Sequence, residues 1–214
     1  MIIAPSVLSA DFSRLGEEID MLQQSPAEWI HIDIMDGVFV PNISFGFPVL
    51  EAIRKRTTKY CDVHLMITQP EKWLKKFSEA GADHISIHWE QNSNPEACLI
   101  EIREYGKTSG LVINPDTAVQ SVAHLLELAD VLLIMSVYPG FGGQSFISSS
   151  LEKVAEARNL IQQKNLTTRI QVDGGVSTQN ITDLREAGAD ILVAGNAVFR
   201  SPNPTETIRQ MMSL

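Results

Sequence analysis

Eight short runs rich in β-branched residues recur along the chain, and each is followed by a longer stretch of helical period. The runs lie near Ile2–Leu8, Trp29–Met35, Tyr60–Met66, His84–His88, Ser109–Ile113, Val131–Met135, Arg169–Val172 and Ile191–Ala194. Between them apolar residues repeat at three- and four-residue spacing, as in Leu15/Ile19/Leu22, Trp73/Phe77/Ala80 and Leu151/Val154/Ala157/Ile161, the mark of helices with one buried face. Two helix-to-strand connections read almost alike, Glu79-Ala80-Gly81-Ala82-Asp83 and Glu186-Ala187-Gly188-Ala189-Asp190, each putting glycine where a helix stops in the left-handed region. Eight βα units suit a closed (β/α)8 TIM barrel. An open doubly wound sheet more often has about five or six strands and a glycine fingerprint after the first, where this chain has Pro5-Ser6-Val7-Leu8-Ser9-Ala10. No linker or composition shift divides the chain, so the expectation is an α/β protein with a single domain over residues 1–214.

Charge and composition remove several function classes. Seventeen basic against 26 acidic residues leave −9, a poor footprint for nucleic acid or an anionic membrane, so an anionic ligand must find local positive potential. A 44% hydrophobic content with 13 Gly and 10 Pro excludes disorder and collagen-like assembly. No apolar run approaches the ~20 residues of a membrane span. Met1 leads into Ile2-Ile3-Ala4-Pro5 without a basic stretch, and Cys61 and Cys98 have no C-x-x-C spacing. These features predict a cytoplasmic protein whose two thiols are packing residues.

In such a barrel, chemistry sits at the C-terminal ends of the strands. Alternation turns Ile30, Ile32 and Ile34 toward the helices and aims His31, Asp33 and Met35 inward. The third strand repeats this, with Asp62, His64 and Met66 inward, and the seventh aims Gln171 and Asp173 inward. Buried carboxylates are costly unless paired, protonated or ligated, so the residues alone leave two readings open: a divalent-metal centre or a buried His–Asp network.

Pro139-Gly140-Phe141-Gly142-Gly143-Gln144 follows the sixth strand, ahead of a helix beginning near Ser149. Asp173-Gly174-Gly175 and Gly195-Asn196 follow the seventh and eighth. Three consecutive Gly-rich βα loops make a phosphate cradle of backbone amides. Lys59, Lys107 and Lys164 all precede strands, which disfavours Schiff-base chemistry at the rim. Met35, Met66 and Met135 read as core filler at the rim. His84 and His88 share a face of the fourth strand, His124 falls in a helix, and none of the three is assigned a role.

Ala4 to Phe12, His31-Ile32-Asp33-Ile34-Met35-Asp36-Gly37 running into Phe39-Val40-Pro41-Asn42, Asp62-Val63-His64-Leu65-Met66, Pro139 to Gln144 and Val172-Asp173-Gly174-Gly175 together resemble the ribulose-phosphate 3-epimerase family over nearly the whole chain. The resemblance implies a ribulose-phosphate-binding barrel and an isomerase interconverting D-ribulose 5-phosphate and D-xylulose 5-phosphate, with roles in the pentose phosphate pathway and carbon fixation. It implies His31, Asp33, His64 and Asp173 as ligands of one divalent cation per subunit (Zn, Fe, Mn or Co), with Asp33 and Asp173 also the acid–base pair. Ser6, His64, Gly140, Phe141, Gly142, Gly143, Gly174, Gly175, Gly195 and Asn196 are the implied substrate-binding residues, and a homo-oligomer is implied as well. Asn196 departs from the usual Ser of the family, and Tyr138 from a frequent Asn.

The mechanism also has a basis apart from the resemblance. Inverting a carbon beside a ketone needs one group to take a proton from one face and another to return one to the opposite face. A metal acting as a Lewis acid would stabilise the cis-enediolate between the two transfers. An epimerase for a six-carbon ketose phosphate, such as allulose 6-phosphate, would use the same set. Decarboxylases and formaldehyde-fixing synthases of the same architecture commonly carry a D-x-K-x-x-D lysine, but Met35 is the inward residue after Asp33 here. A non-catalytic sugar-phosphate binder would not require paired carboxylates.

Overall fold

The structure is a computed structural model describing residues 1–214. Eight parallel strands, β1 (Ile2–Pro5), β2 (Trp29–Met35), β3 (Tyr60–Met66), β4 (His84–His88), β5 (Thr108–Ile113), β6 (Val131–Met135), β7 (Arg169–Asp173) and β8 (Ile191–Ala194), form one sheet in the order β1-β8-β7-β6-β5-β4-β3-β2. The ring closes between β1 and β2 through a single bridge, Ser6 to His31, giving one (β/α)8 barrel. The helices are α1 (Leu15–Gln24), α2 (Phe47–Arg54), α3 (Leu74–Ala80), α4 (Pro95–Glu104), α5 (Ser150–Gln163), α6 (Ile181–Ala187), α7 (Asn196–Phe199) and α8 (Pro204–Ser213). None is long and apolar enough to cross a membrane.

The period-two alternation holds. Ile30, Ile32, Ile34, Val63 and Leu65 join the helices in a core of 46 buried residues, while His31, Asp33, Asp62 and His64 are buried inside the ring. At the strand starts the ring is filled by Trp29, Val131 and Ile191. Cys61 and Cys98 are buried free thiols, as expected of packing residues.

Two expectations need correction. β1 ends at Pro5 rather than running on to Leu8, because the carbonyls of Ser6 and Val7 accept the amides of Ser9 and Ala10 and turn the chain out of the sheet. His124 lies in a series of tight turns, not a helix. Val119, Val122 and Leu125 recur every three residues, the period of a 3₁₀ turn, and the amides of Leu125 and Leu128 bond carbonyls three residues back. The unit after β5 therefore has no α-helix, and the eighth comes from β8, which is followed by both α7 and α8.

The two sequence-matched connections work as read. Gly81 ends α3 at φ +115°, and Gly188 ends α6 at φ +109°. A Cβ on Gly81 would meet Arg54 Cγ at 2.6 Å, and Arg54 bonds Asp83 at 2.8 Å, so there is little room to retreat. Gly81→Ala is expected to destabilise the fold by about 1–3 kcal/mol, seen as a lower urea midpoint with kcat retained, because it strains a position far from the strand C-termini.

Candidate active site

The β2–β3 register places His31 opposite Asp62 and Asp33 opposite His64, so consecutive inward positions of two strands make a compact polar block. Asp173 arrives from the last residue of β7, with a side chain 17% exposed. His31 Nε2 is 3.1 Å from Asp33 Oδ1 and 3.8 Å from Asp173 Oδ2. His64 Nδ1 is 3.2 Å and 3.8 Å from the same two oxygens. One ligand atom from each of His31, Asp33, His64 and Asp173 lies within 4.8 Å of the other three. Two imidazole nitrogens and two carboxylate oxygens at this separation are a donor set that fits a divalent first-row cation.

The electrostatics of the block agree with that fit. Burial works against a charge on His31, but the Asp33 and Asp62 carboxylates outweigh it and hold the imidazole pKa well above its usual value. Burial alone would raise Asp33, yet the charge of His31 and hydrogen bonds from both histidines hold it far below the carboxylate range. Asp173 goes the other way, pushed up to about 6 by burial and then by the charge of Asp33. Two neighbouring carboxyls thus have opposite proton affinities, and the second ionises against the field of the first, a cost that a cation offsets.

Around the block, Ser6 donates its hydroxyl to Asp33 Oδ2 at 2.6 Å, and Ser44 donates to the Asp33 carbonyl at 2.7 Å. Behind it, Asp62 and Gln171 fill the buried interior, joined by a short hydrogen bond from Gln171 Nε2 to Asp62 Oδ2. His84 bonds Thr108 and Ser86, and burial holds its pKa down at about 4. His88 touches the site directly, with Nε2 2.9 Å from His64 Nε2 and Nδ1 3.3 Å from Glu90 Oε2. Burial holds His88 at about 4 as well, so it is neutral. Sequence reasoning missed the contacts of His88 and Glu90. The one available signal was that β4 neighbours β3 and carries a histidine on its inward face.

Above the block opens a cleft of about 410 Å³, lined by Ser6, Asp33, Asp173, Met35, Met66 and Met135 and by the three Gly-rich loops. All of Gly140 to Gly143, Gly174, Gly175, Gly195 and Asn196 face it, whereas His31 and His64 lie wholly buried beneath its floor. Gly175 is at φ +64° with Phe146 N only 2.5 Å from where a Cβ would be, so only glycine fits there. The loop after β6 is tied down at three points. Asn42 Nδ2 donates to the Gly140 carbonyl at 2.7 Å, Gln144 Nε2 donates to the Tyr138 carbonyl at 2.7 Å, and the Tyr138 hydroxyl donates to Asp116 at 2.9 Å. The residue at 138 is therefore an anchor on the β5 loop. Asn196 Nδ2 lies 2.5 Å from where a Cβ on Gly143 would be, so its amide packs against the β6 loop at a point where only glycine leaves room.

Residues 2–199 match the model of the ribulose-phosphate 3-epimerase family. The chain is 50% identical over 210 residues to the ribulose-phosphate 3-epimerase of Synechocystis sp., covering 97% of this chain and 91% of that one. It is 44% identical over 211 residues to the chloroplastic ribulose-5-phosphate-3-epimerase of Arabidopsis thaliana, covering 98% of this chain and 75% of that one. Against the Bacillus subtilis ribulose-phosphate 3-epimerase the identity is 43% over 210 residues, 98% and 97% of the two chains. Among solved structures, 3-hexulose-6-phosphate synthase from Salmonella typhimurium superposes with a TM-score of 0.74 at 17% identity, covering 100% and 97% of the two chains. Orotidine 5'-phosphate decarboxylase from Pyrococcus horikoshii gives 0.70 at 14% identity, covering 98% and 97%. At such identities the superpositions speak for the barrel alone.

Proposed function

Since the chain belongs to the ribulose-phosphate 3-epimerase family, we propose that it inverts C3 of D-ribulose 5-phosphate by a two-base reaction in which Asp33 and Asp173 exchange roles. It is an isomerase, and inversion at C3 makes D-xylulose 5-phosphate the product. The observation that carries the mechanism is the pair of carboxyls from β2 and β7, one held ionised and the other pushed up to about 6, both opening on the same cleft.

Asp33, ionised, suits the base that removes the C3 proton, and Asp173, the carboxyl that keeps a proton more readily, suits the acid that returns one. In the reverse direction the assignments swap. Ser6, donating to Asp33 Oδ2, occupies one carboxylate oxygen and leaves Oδ1 directed at the histidines. His31, Asp33, His64 and Asp173 would hold a divalent cation, which would supply Lewis-acid chemistry beside the reacting carbon and the positive charge an anionic sugar needs on an acidic chain. The amides of Gly174, Gly175, Gly195 and Asn196, with Gly140, Phe141, Gly142 and Gly143 across the cleft, would take the phosphate; their support is that all face the cleft and no lysine or arginine lines it. Met35, Met66 and Met135 line the cleft floor and exclude water from the reacting carbon.

The test is turnover of D-ribulose 5-phosphate in deuterated water, with metal analysis of the same sample. Solvent deuterium is expected at C3 of both sugars. Interconversion without exchange at C3, at any substrate concentration, would exclude proton abstraction. Cytoplasmic residence, a single domain over 1–214 and a homo-oligomer remain part of this reading. The last is supported by Val38 and Ile43, 73% and 75% exposed on the loop after β2, and sedimentation velocity measures it.

A further inference from the structure

His31 and His64 face the carboxylate pair through different nitrogens. His31 presents Nε2, and its Nδ1 lies 2.7 Å from Asp62 Oδ2. His64 presents Nδ1, and its Nε2 lies 2.9 Å from His88 Nε2, while the other nitrogen of His88 lies 3.3 Å from Glu90 Oε2. Each histidine is thus backed by a carboxylate, directly in one case and through a second imidazole in the other.

An ionised carboxylate can only accept, which gives both lines a direction. Nδ1 of His31 therefore carries the proton toward Asp62. When His64 ligates through Nδ1 its one proton lies on Nε2, so Nε2 of His88 accepts it and Nδ1 of His88 donates to Glu90. A cation bound through Nε2 of His31 and Nδ1 of His64 takes the place of the protons those nitrogens give Asp33, and the two ligating rings are then opposite tautomers, each with its remaining N–H turned away from the site.

Stability alone does not account for this layer. A buried carboxylate costs several kcal/mol unless fully compensated, and Asp62 keeps one oxygen, Oδ1, without any hydrogen-bond partner. Its other oxygen accepts from both His31 and Gln171. Apolar residues of the same volume are often as stabilising in such a position.

We propose that Asp62 and Glu90 are positioning residues, Asp62 acting on His31 and Glu90 acting through His88 on His64, which fix the tautomers that direct both lone pairs at a divalent cation. The proposal rests on the cation reading above. It makes a distinctive statement about Glu90→Gln. The glutamine can keep accepting from Asn114 N and Thr117 through one oxygen, but it turns an amide N–H toward His88 Nδ1. That N–H opposes the Nδ1–H of His88 that ligation by His64 requires, so the variant must break this line to take a cation.

The experiment uses the full chain stripped of metal, zinc ion with a competing chromophoric chelator, and ¹⁵N spectra of the imidazoles. Asp62→Asn and Glu90→Gln are each expected to weaken zinc binding about 10- to 100-fold. In zinc-loaded Glu90→Gln the His64 and His88 resonances should shift from those of the zinc-loaded parent while those of His31 stay put, a localised change that a merely structural role would not produce. Glu90→Asp, which restores the acceptor, should recover the zinc affinity and the parent resonances. If Asp62→Asn does not fold, Glu90→Gln decides, since that side chain is 19% exposed. Tight zinc binding by the parent chain with affinities and zinc-loaded resonances unchanged in the variants overturns this inference alone. No zinc binding by the parent overturns the cation reading and this one with it.

Discussion

Asp173→Asn is expected to lower kcat about 10²- to 10⁴-fold, the usual contribution of a positioned proton-transfer group, while leaving a folded barrel. The amide has the shape of the acid but cannot give or take the proton, so the loss should fall on kcat rather than KM. The same substitution should stabilise the metal-free protein. Asp173 has a folded pKa of about 6 against an ordinary 3.8, so the folded state binds the extra proton and wild-type stability declines as pH rises through that window. Above it the ionised carboxyl costs about 3 kcal/mol, and Asn does not incur this. Metal-free wild type and variant should therefore unfold alike near pH 4 and diverge by pH 8, the variant being the more stable. Equal turnover by the variant removes Asp173 from the chemistry; an unchanged gap between the two across that pH range removes the carboxylate repulsion.

Exhaustive chelation is expected to abolish interconversion, and restoring a divalent cation to recover it. Loading at a hundredfold excess over Kd adds about 2.7 kcal/mol to stability, visible as a higher unfolding midpoint. Binding also has a proton signature. His31 is held protonated above its usual range by Asp33 and Asp62 despite burial, so it must release a proton to become a ligand. At pH 7 about one proton should be released per cation, rising below pH 6 as Asp173 also has to ionise, so the apparent affinity weakens as pH falls. Calorimetry in buffers of different ionisation enthalpy counts these protons. Full activity in demonstrably metal-free protein would sink the cation reading.

Most of the fold and the central site were legible because both follow from local periodicities. Alternation of two along Trp29–Met35 and Tyr60–Met66 puts His31, Asp33, Asp62 and His64 inside any closed barrel, whatever the details of packing. What escaped depends on register and on competition for hydrogen bonds. Seeing that His88 reaches His64 requires knowing that His64 pairs opposite Ser86, a relation between strands that no window of sequence contains. The early end of β1 reflects backbone amides at Ser9 and Ala10 taking the carbonyls of Ser6 and Val7, where β-branched composition pointed to a longer strand. The turns around His124 show apolar spacing of three winning over the helix the segment resembled.

The single bridge between Ser6 and His31 has a mechanical meaning. Every other seam of the ring is sewn by a run of paired residues, from three between β7 and β8 to seven between β2 and β3, whereas β1 and β2 meet at one stitch. A hoop under stress parts at its weakest joint, and here the joint runs beneath the cleft. Ser6 stands on one lip, His31 and Asp33 on the other, and the Ser6 hydroxyl reaches across to Asp33. Whatever binds to both lips acts as a rivet through the joint. Ligation energy then goes into keeping the hoop shut, and amide exchange along β1 and β2 should slow more on loading than exchange on the far side of the barrel.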